Sequence, residues 1–324
     1  MASRPLSLRW WAARLSILAI RLLRALPLPA ARRLMTALGH IAYYLVPRVR
    51  RVGRRNLDLA YGDTIDNAAK TRILHGAVAN VAQVAAELVH MPRLARGNGG
   101  DGPVYARGWL PSGLVRGSRS SFTDHVAIEG IEHVDLTRGL LCIGGHLGNW
   151  EWMAAAMAST GHRVAEVVRP LDDPALNTVV DELRTGGGIT TIPKDDAGRE
   201  IIRLIREGWL VGLLIDQSPR RNGAPTQFFG QPCWSTIAPA MIAARTKAPV
   251  HVVSMLRAAP GRYTLRFLPA LDLVRTGDLR RDLVENTQRC QDAFERVVRE
   301  HPEQWLWFHR RWKHREHLAR EWGK

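Results

Sequence analysis

The chain has 324 residues, 46% of them hydrophobic, which is enough for one large domain or two small ones with a substantial core. That composition excludes a disordered tail, a disulfide miniprotein and a polytopic membrane protein, and Cys142, Cys233 and Cys290 are too scattered for a disulfide framework or a zinc site. The formal net charge is +16, and it is unevenly placed: residues 1–55 carry twelve Arg, no Lys and no acid, because the first acidic residue is Asp58.

A segment this basic predicts an anionic partner. Its apolar residues favour a membrane surface over nucleic acid. At helical spacing Arg14, Arg21 and Arg24 fall within an arc of about 80°. Leu15, Leu18, Leu22 and Leu26 form an opposing stripe, with Trp10 and Trp11 at its margin. A basic amphipathic helix with Trp beside it suits the membrane interface. A spanning helix needs about 20 mostly apolar residues, and the longest uncharged run, Leu34 to Pro47, is shorter; because Arg can snorkel, a short or tilted insertion stays open. Arg21 and Arg24 would interrupt the apolar region of a signal peptide. The plainer alternative is a surface helix of a basic protein.

Residues 31–91 read as helices, most clearly Ala68 to His90, with Ile73, Ala77, Val81, Val84 and Leu88 on one face. Pro92 to Ser120 is rich in Gly, Pro and Arg and is expected to be a loop or partly disordered insertion. The division expected is therefore membrane-anchoring helices in 1–60 and one α/β domain in 61–324, carrying the insertion at 92–120. Beyond it, strands are predicted at Leu140–Ile143, Val164–Val168, Ile189–Ile192, Leu210–Ile215, Val250–Leu256 and Tyr263–Leu268. Helices are predicted at Trp150–Ser159, Pro174–Arg184, Ala197–Glu207, Ile237–Arg245, Leu279–Glu300 and Glu303–Lys313. This alternation predicts an α/β fold with a mostly parallel central sheet flanked by helices. Sites in such sheets lie at the carboxyl ends of strands.

Three polar clusters fall at such ends. The first is Gly144-Gly145-His146-Leu147-Gly148-Asn149-Trp150-Glu151. Asn149 is a candidate N-cap that places Glu151 in the first helical turn. A turn before the helix would let the Glu151 carboxylate return to the imidazole, fix its tautomer and leave the other nitrogen to take a proton. The competing reading is a His at a strand end and a Glu favoured by a helix N-terminus. The second cluster, Val168-Arg169-Pro170, offers a guanidinium for a phosphate or phosphopantetheine group, or only a surface Arg before a turn. The third, Ile215-Asp216-Gln217-Ser218, could orient Arg169 or an oxyanion donor, or be a turn. Gly186-Gly187-Gly188 follows a helix and reads as a helix stop. Walker A, H-E-x-x-H and G-x-S-x-G patterns do not occur.

In this order the clusters resemble the bacterial lipid A biosynthesis (late) acyltransferases, a family that includes the phosphatidylinositol mannoside acyltransferases of actinobacteria. The resemblance rests on Arg51 to Leu59 (RVGRRNLDL), His146 to Glu151 (HLGNWE), Val168-Arg169-Pro170 and Ile215-Asp216-Gln217. Phe228-Phe229-Gly230 and Gln304 to Trp312 (QWLWFHRRW) complete it. It runs from about Arg9 to His314 and is interrupted by the glycine-rich insertion, which leaves the acceptor open rather than the chemistry.

The resemblance implies a glycerol-3-phosphate-acyltransferase-like fold. It implies acyl transfer from acyl-CoA or acyl carrier protein to a hydroxyl of a glycolipid such as a lipid A precursor, without a metal, a cofactor or an acyl-enzyme. A phosphatidylinositol mannoside or another glycolipid is the alternative acceptor. By position it makes His146 the general base and Glu151 its orienting carboxylate. Arg169 would contact phosphate or the oxyanion, and Asn177 would line the same groove. Asp216 and Gln217 would support Arg169 and the site floor, and Phe228, Phe229 and Gly230 would form the loop beside the acyl groove. Backbone N–H groups around Gly148 and Asn149 are oxyanion candidates. The implied setting is the cytoplasmic face of the bacterial inner membrane, with an anionic lipid surface as partner and no nucleic acid. An acyl thioesterase using the same His and Glu, and a non-enzymatic basic binding protein, are the other classes. Gln304 to Trp312 is read as an amphipathic closing helix rather than a base-stacking surface.

Overall fold

The computed structural model describes residues 8–96, 125–159, 161–194, 197–219 and 221–322. Four helices open the chain: α1 (Leu8–Ala25), α2 (Leu28–Leu45), α3 (Pro47–Tyr61) and α4 (Asn67–Arg96). Proline at the first turn of α2 and α3 suits helix starts, where its missing N–H has no intrahelical acceptor. The expected Ala68–His90 helix runs on to Arg96 and takes in Pro92 to Arg96, so the insertion starts later than the sequence suggested. Its remainder, apart from the first residues, lies outside the described residues.

Strands and helices then alternate: β1 (Val126–Glu129), β2 (Leu140–Gly144), α5 (Trp150–Ala158), β3 (Val164–Val168), α6 (Pro174–Thr185), β4 (Thr190–Pro193), α7 (Ala197–Arg206) and β5 (Leu210–Leu214). They continue as β6 (Gly223–Phe228), β7 (Gln231–Thr236), α8 (Ala238–Thr246), β8 (Val250–Ala259), β9 (Arg262–Phe267), α9 (Leu279–Glu300) and α10 (Arg315–Trp322). Among the described residues a seven-stranded sheet runs β1-β9-β8-β2-β5-β3-β4. Every neighbouring pair is parallel except β8–β9. This is the mostly parallel α/β sheet expected. Its central strand β2 is buried along its whole length, as a strand covered on both faces must be. The core divides into two clusters. One holds Leu141, Ile143 and Phe294, with Trp305 and Trp307 of the terminal segment; the other holds Leu140, Cys142, Trp152 and Tyr263.

Besides β1, which is not among the predicted strands, two stretches differ from expectation. Residues 223–236 form an antiparallel hairpin, β6–β7, turned on Phe229 and Gly230, both at positive φ (55° and 67°). Two such residues are what a type I′ turn requires. Phe at positive φ is costly, and its ring is held in place: the Arg299 guanidinium stacks 4.2 Å from its centroid and Tyr61 packs at 5.3 Å. Phe228 and Phe229 are both buried in the core at this turn. The second is the expected helix Glu303–Lys313. Apart from a single 3-10 turn at Pro302–Gln304, it is irregular, and the last helix, α10, begins only at Arg315. Trp305, Trp307 and Arg311 are fully buried. A segment with indoles on every side cannot be amphipathic, and irregular backbone lets each ring find its own pocket.

The N-terminal helices pack on this core through one face. Ala13 and Ile17 of α1 and Ala31 and Tyr43 of α2 are buried. Asn56 of α3 donates to the carbonyl oxygens of Trp307 and His309, both at 2.7 Å. Trp11, Leu15, Leu18 and Leu22 of α1, and Leu34, Leu38, Ile41 and Leu45 of α2, point the other way and are 43% to 75% exposed. Each set follows the same i, i+4, i+7, i+11 spacing, an apolar stripe along the helix. Among the described residues no helix is long and apolar enough to cross a membrane.

Candidate active site

β2 ends in Gly144, and the chain turns through Gly145, His146, Leu147, Gly148 and Asn149 before α5 begins. Asn149 caps α5, its Oδ1 accepting from the Trp152 N–H at 3.0 Å. The loop fits under tight constraint. Gly148 has φ +59°, and a Cβ there would lie 1.9 Å from the Met255 carbonyl oxygen; a Cβ on Gly145 would meet the Phe294 ring at 2.2 Å and Asp216 Cγ at 2.9 Å. Gly148→Ala is expected to cost more than about 2 kcal/mol and to abolish activity, because the residue would be strained at its φ and could not stay close to β8. The denaturant midpoint reads the first effect; a midpoint at the wild-type value would contradict it.

Asp216, at the end of β5, is the carboxylate that meets His146. Its Oδ1 lies 2.9 Å from His146 Nδ1, and its Oδ2 accepts the His146 backbone N–H at 2.8 Å and the Trp305 indole N–H at 2.9 Å. Asp216 is fully buried. Burial alone would raise its pKa, but the His146 charge and hydrogen bonds outweigh burial and hold it well below the usual carboxylate range. At His146 burial disfavours the imidazolium. The Asp216 charge and hydrogen bond, with a smaller contribution from Glu151, reverse this and leave the pKa above its ordinary 6.5. With Nδ1–H assigned to Asp216 from this network, Nε2 carries the lone pair, and the side chain keeps 20% of its surface open.

Glu151 does not make the hydrogen bond expected of it. Its two oxygens take a bidentate pair from Arg184 of α6, at 3.0 and 2.8 Å. In the first turn of α5 the side chain points toward α6 rather than back to the imidazole, and it acts on His146 only through its charge. Glu166 of β3 joins the group, 3.4 Å from Arg184 Nε. Burial, then the Glu151 charge, push Glu166 up to about 8, with the Arg184 charge acting against them.

Several other expected partners are separate. Arg169 pairs with Asp172 at 3.4 Å, both largely exposed, and Asp216 is committed to His146 rather than to it. The Asn177 Oδ1 accepts from the Leu171 N–H at 2.8 Å and closes the loop after β3. Gln217 is exposed. The Gly148 and Asn149 N–H groups are already donated, to the Gln304 carbonyl at 3.0 Å and the Met255 carbonyl at 2.7 Å. They are structural bonds of the loop rather than open oxyanion donors.

A buried polar network around the loop has no counterpart in the sequence reading. Glu87 of α4 accepts at Oε1 from Arg32 Nε (2.7 Å), Arg257 Nη1 (2.7 Å) and Tyr263 OH (2.5 Å), and at Oε2 from Arg257 Nη2 (2.7 Å) and Asn149 Nδ2 (2.6 Å). Asn80, two turns earlier, donates to the Gly148 and Gln304 carbonyls. The terminal segment closes the other side, with Leu306 N–H on the His146 carbonyl at 2.9 Å. The only signal in the sequence was an acid inside an apolar helical run, at Glu87.

Comparison with known proteins places the chain. Phosphatidylinositol mannoside acyltransferase of Mycobacterium tuberculosis is 24% identical over 193 residues, in strains CDC 1551 / Oshkosh and ATCC 25618 / H37Rv. The matched stretch covers 57% of this chain and 59% of those relatives. The crystal structure of 1-acyl-sn-glycerophosphate (LPA) acyltransferase, PlsC, from Thermotoga maritima aligns over 86% of this chain and 99% of that one, at 15% identity. Its TM-score of 0.34 is too low to establish a shared fold. Residues 2–314 match the family described as bacterial lipid A biosynthesis acyltransferase. With that match over nearly its whole length, the chain belongs to the bacterial lipid A biosynthesis acyltransferase family.

Proposed function

We propose that the protein transfers a fatty acyl chain from an acyl thioester, acyl-CoA or acyl carrier protein, to a hydroxyl of a glycolipid, with His146 as general base. The observation that carries this reading is the His146–Asp216 pair, seated in the loop that matches the family. His146 Nε2 takes the proton of the acceptor hydroxyl as its oxygen attacks the thioester carbonyl. The carbon–sulfur bond then breaks, the proton passes from His146 to the leaving thiolate, and the products are an ester and a free thiol. Asp216 fixes the tautomer and compensates the imidazolium formed on the way. With the Trp152 N–H taken by the Asn149 cap, the Trp150 and Glu151 N–H groups, which have no acceptor within the helix, suit the developing oxyanion better than those of Gly148 and Asn149.

The acceptor class follows the family. A lipid A precursor is one reading; the name of the Mycobacterium relatives favours a phosphatidylinositol mannoside as the other. Purified wild type and His146→Ala incubated with labelled palmitoyl-CoA and a total membrane lipid extract test both, with the product identified by mass. A lipid product made by wild type and lost in the variant is expected. Free fatty acid alone would indicate a thioesterase, and equal product from both proteins would remove His146 from the mechanism. Acyl carrier protein as donor is the second arm.

We further propose that the protein sits on the cytoplasmic face of the inner membrane, held by the two apolar stripes of α1 and α2 with the surrounding arginines on anionic headgroups. Leu15→Glu/Leu22→Glu is expected to reduce co-flotation with phosphatidylglycerol vesicles at least about tenfold, since each buried Leu contributes roughly 1.5–3 kcal/mol. Unchanged flotation would show that α1 does not enter the lipid.

A further inference from the structure

The terminal segment brings a second histidine to Asp216 that the proton transfer does not use. His309 Nδ1 lies 2.6 Å from the Leu306 carbonyl oxygen, and its Nε2 lies 3.0 Å from the Asp216 carbonyl oxygen. A carbonyl oxygen only accepts. A neutral imidazole has one N–H and one bare lone pair. In either tautomer, one contact would therefore set a ring lone pair against a carbonyl oxygen at hydrogen-bond distance. Only the doubly protonated ring donates to both.

Taking His146 as the base, we propose that His309 is a positioning residue: an imidazolium that donates from both ring nitrogens, ties the Asp216 backbone to the terminal segment, and holds a fixed positive charge beside the Asp216–His146 pair. The charged and titratable groups that act on it are Asp216 at the end of β5, His146 in the β2–α5 loop and Arg311 in its own segment. Burial opposes its charge and lowers its pKa, and His146 and Arg311 act in the same direction; the Asp216 carboxylate and the Leu306 carbonyl act against them. Together these leave the pKa below its ordinary 6.5. The contact of Nε2 with the Asp216 carbonyl is not among them, and it is this contact that, in the proposal, reverses the balance. Loss of the ring proton would forfeit a hydrogen bond to an acceptor inside the protein and put a repulsive contact in its place.

The arrangement has a consequence for the base. Asp216 is shared between two imidazoles, and the two rings repel one another when both are charged. A charged His309 therefore restrains the rise in the His146 pKa that Asp216 alone would impose, and keeps Nε2 free at a lower pH.

His309→Gln tests this, because the amide can still donate to one carbonyl but carries no charge. The acid limb of kcat/KM is expected to move to higher pH by about half a pH unit or more, as loss of a nearby charge in a partly buried site requires. A merely structural role would lower the rate and leave the limb in place, which would overturn the proposal. Ring 15N shifts of the wild-type full chain in detergent micelles at pH 7.5 give a readout that depends on neither the variant's folding nor activity. Both His309 nitrogens are expected to be protonated, and one bare nitrogen would overturn the proposal. His146→Ala separates the two ideas: persistent acyl transfer would remove the base, while the 15N result would still decide the state of His309.

Discussion

Asp216→Asn is expected to lower kcat/KM by about 10⁴, the scale of the same change in a Ser-His-Asp triad. The geometry gives a specific reason. The His146 backbone N–H and the Trp305 indole N–H both donate to Oδ2 of Asp216. In the variant the amide oxygen must take that place to keep both bonds. The amide NH2 then faces His146 Nδ1 and makes it an acceptor, so the ring proton moves to Nε2 and the base loses its lone pair. The residual activity should also show a displaced pH profile. His146 must be neutral to act, and its pKa is raised mainly by Asp216 once burial is overcome. Wild-type activity therefore rises as pH passes through that raised value, and in the variant the acid limb moves to lower pH under a much lower plateau. Glu151→Gln should do less. It removes a smaller contribution to the His146 pKa and loosens Arg184, but leaves the imidazole–carboxylate bond intact. Steady-state kinetics from pH 5 to 9 on both variants decide between the two carboxylates. Equal losses with equal displacement would make Glu151 the partner of the imidazole after all.

The sequence carried the sheet well and the site only in part. Local pattern is enough for β2, α5, β3 and α9, because buried runs and periodic faces are properties of a few adjacent residues. It also singled out His146 as a candidate, between glycines at a strand end. It could not choose the imidazole's carboxylate. Glu151 is five residues away in the chain and Asp216 is seventy, but β2 and β5 are neighbours in the sheet, with Gly144 beside Leu214. Strand order brings Asp216 to the histidine, and no local spacing encodes strand order. The same limit explains the terminal segment. Trp305 and His309 lay inside the Gln304–Trp312 motif, which reads as an amphipathic helix, while their contacts with Asp216 depend on α9 returning the chain to the β2–α5 loop. The Phe229-Gly230 turn was legible in principle. A Gly at the second turn position was a cue, but Phe in the first is rare enough at positive φ to hide it.

Glu87→Leu is expected to cost about 3–5 kcal/mol of stability, the range for removing one partner of a buried ion pair. Glu87 is fully buried and is the carboxylate joining Arg32 and Arg257. Without it two guanidiniums stay largely enclosed with no counter-charge, and the Tyr263 hydroxyl loses its acceptor. The penalty lies in the stranded charges rather than in the lost contacts. The double variant Glu87→Leu/Arg257→Leu should therefore recover part of it, although it removes still more hydrogen bonds. Urea denaturation of the two variants and the wild type measures both quantities. A single-variant loss below about 1 kcal/mol would place the site in the class of exposed pairs, and no recovery in the double variant would show that contacts rather than charge carry the energy. The effect should reach catalysis by a route unlike that of Asp216. Asn149 donates to Glu87 from Nδ2 while its Oδ1 caps α5, so losing the carboxylate frees the end of the loop three residues after His146. The rate should fall, yet the acid limb should stay where it is, because the Asp216–His146 bond is untouched. Arg32, on the inner face of α2, shares that same carboxylate. One buried anion thus joins a helix bearing an exposed apolar stripe to the loop carrying the base, and the two cannot be loosened independently.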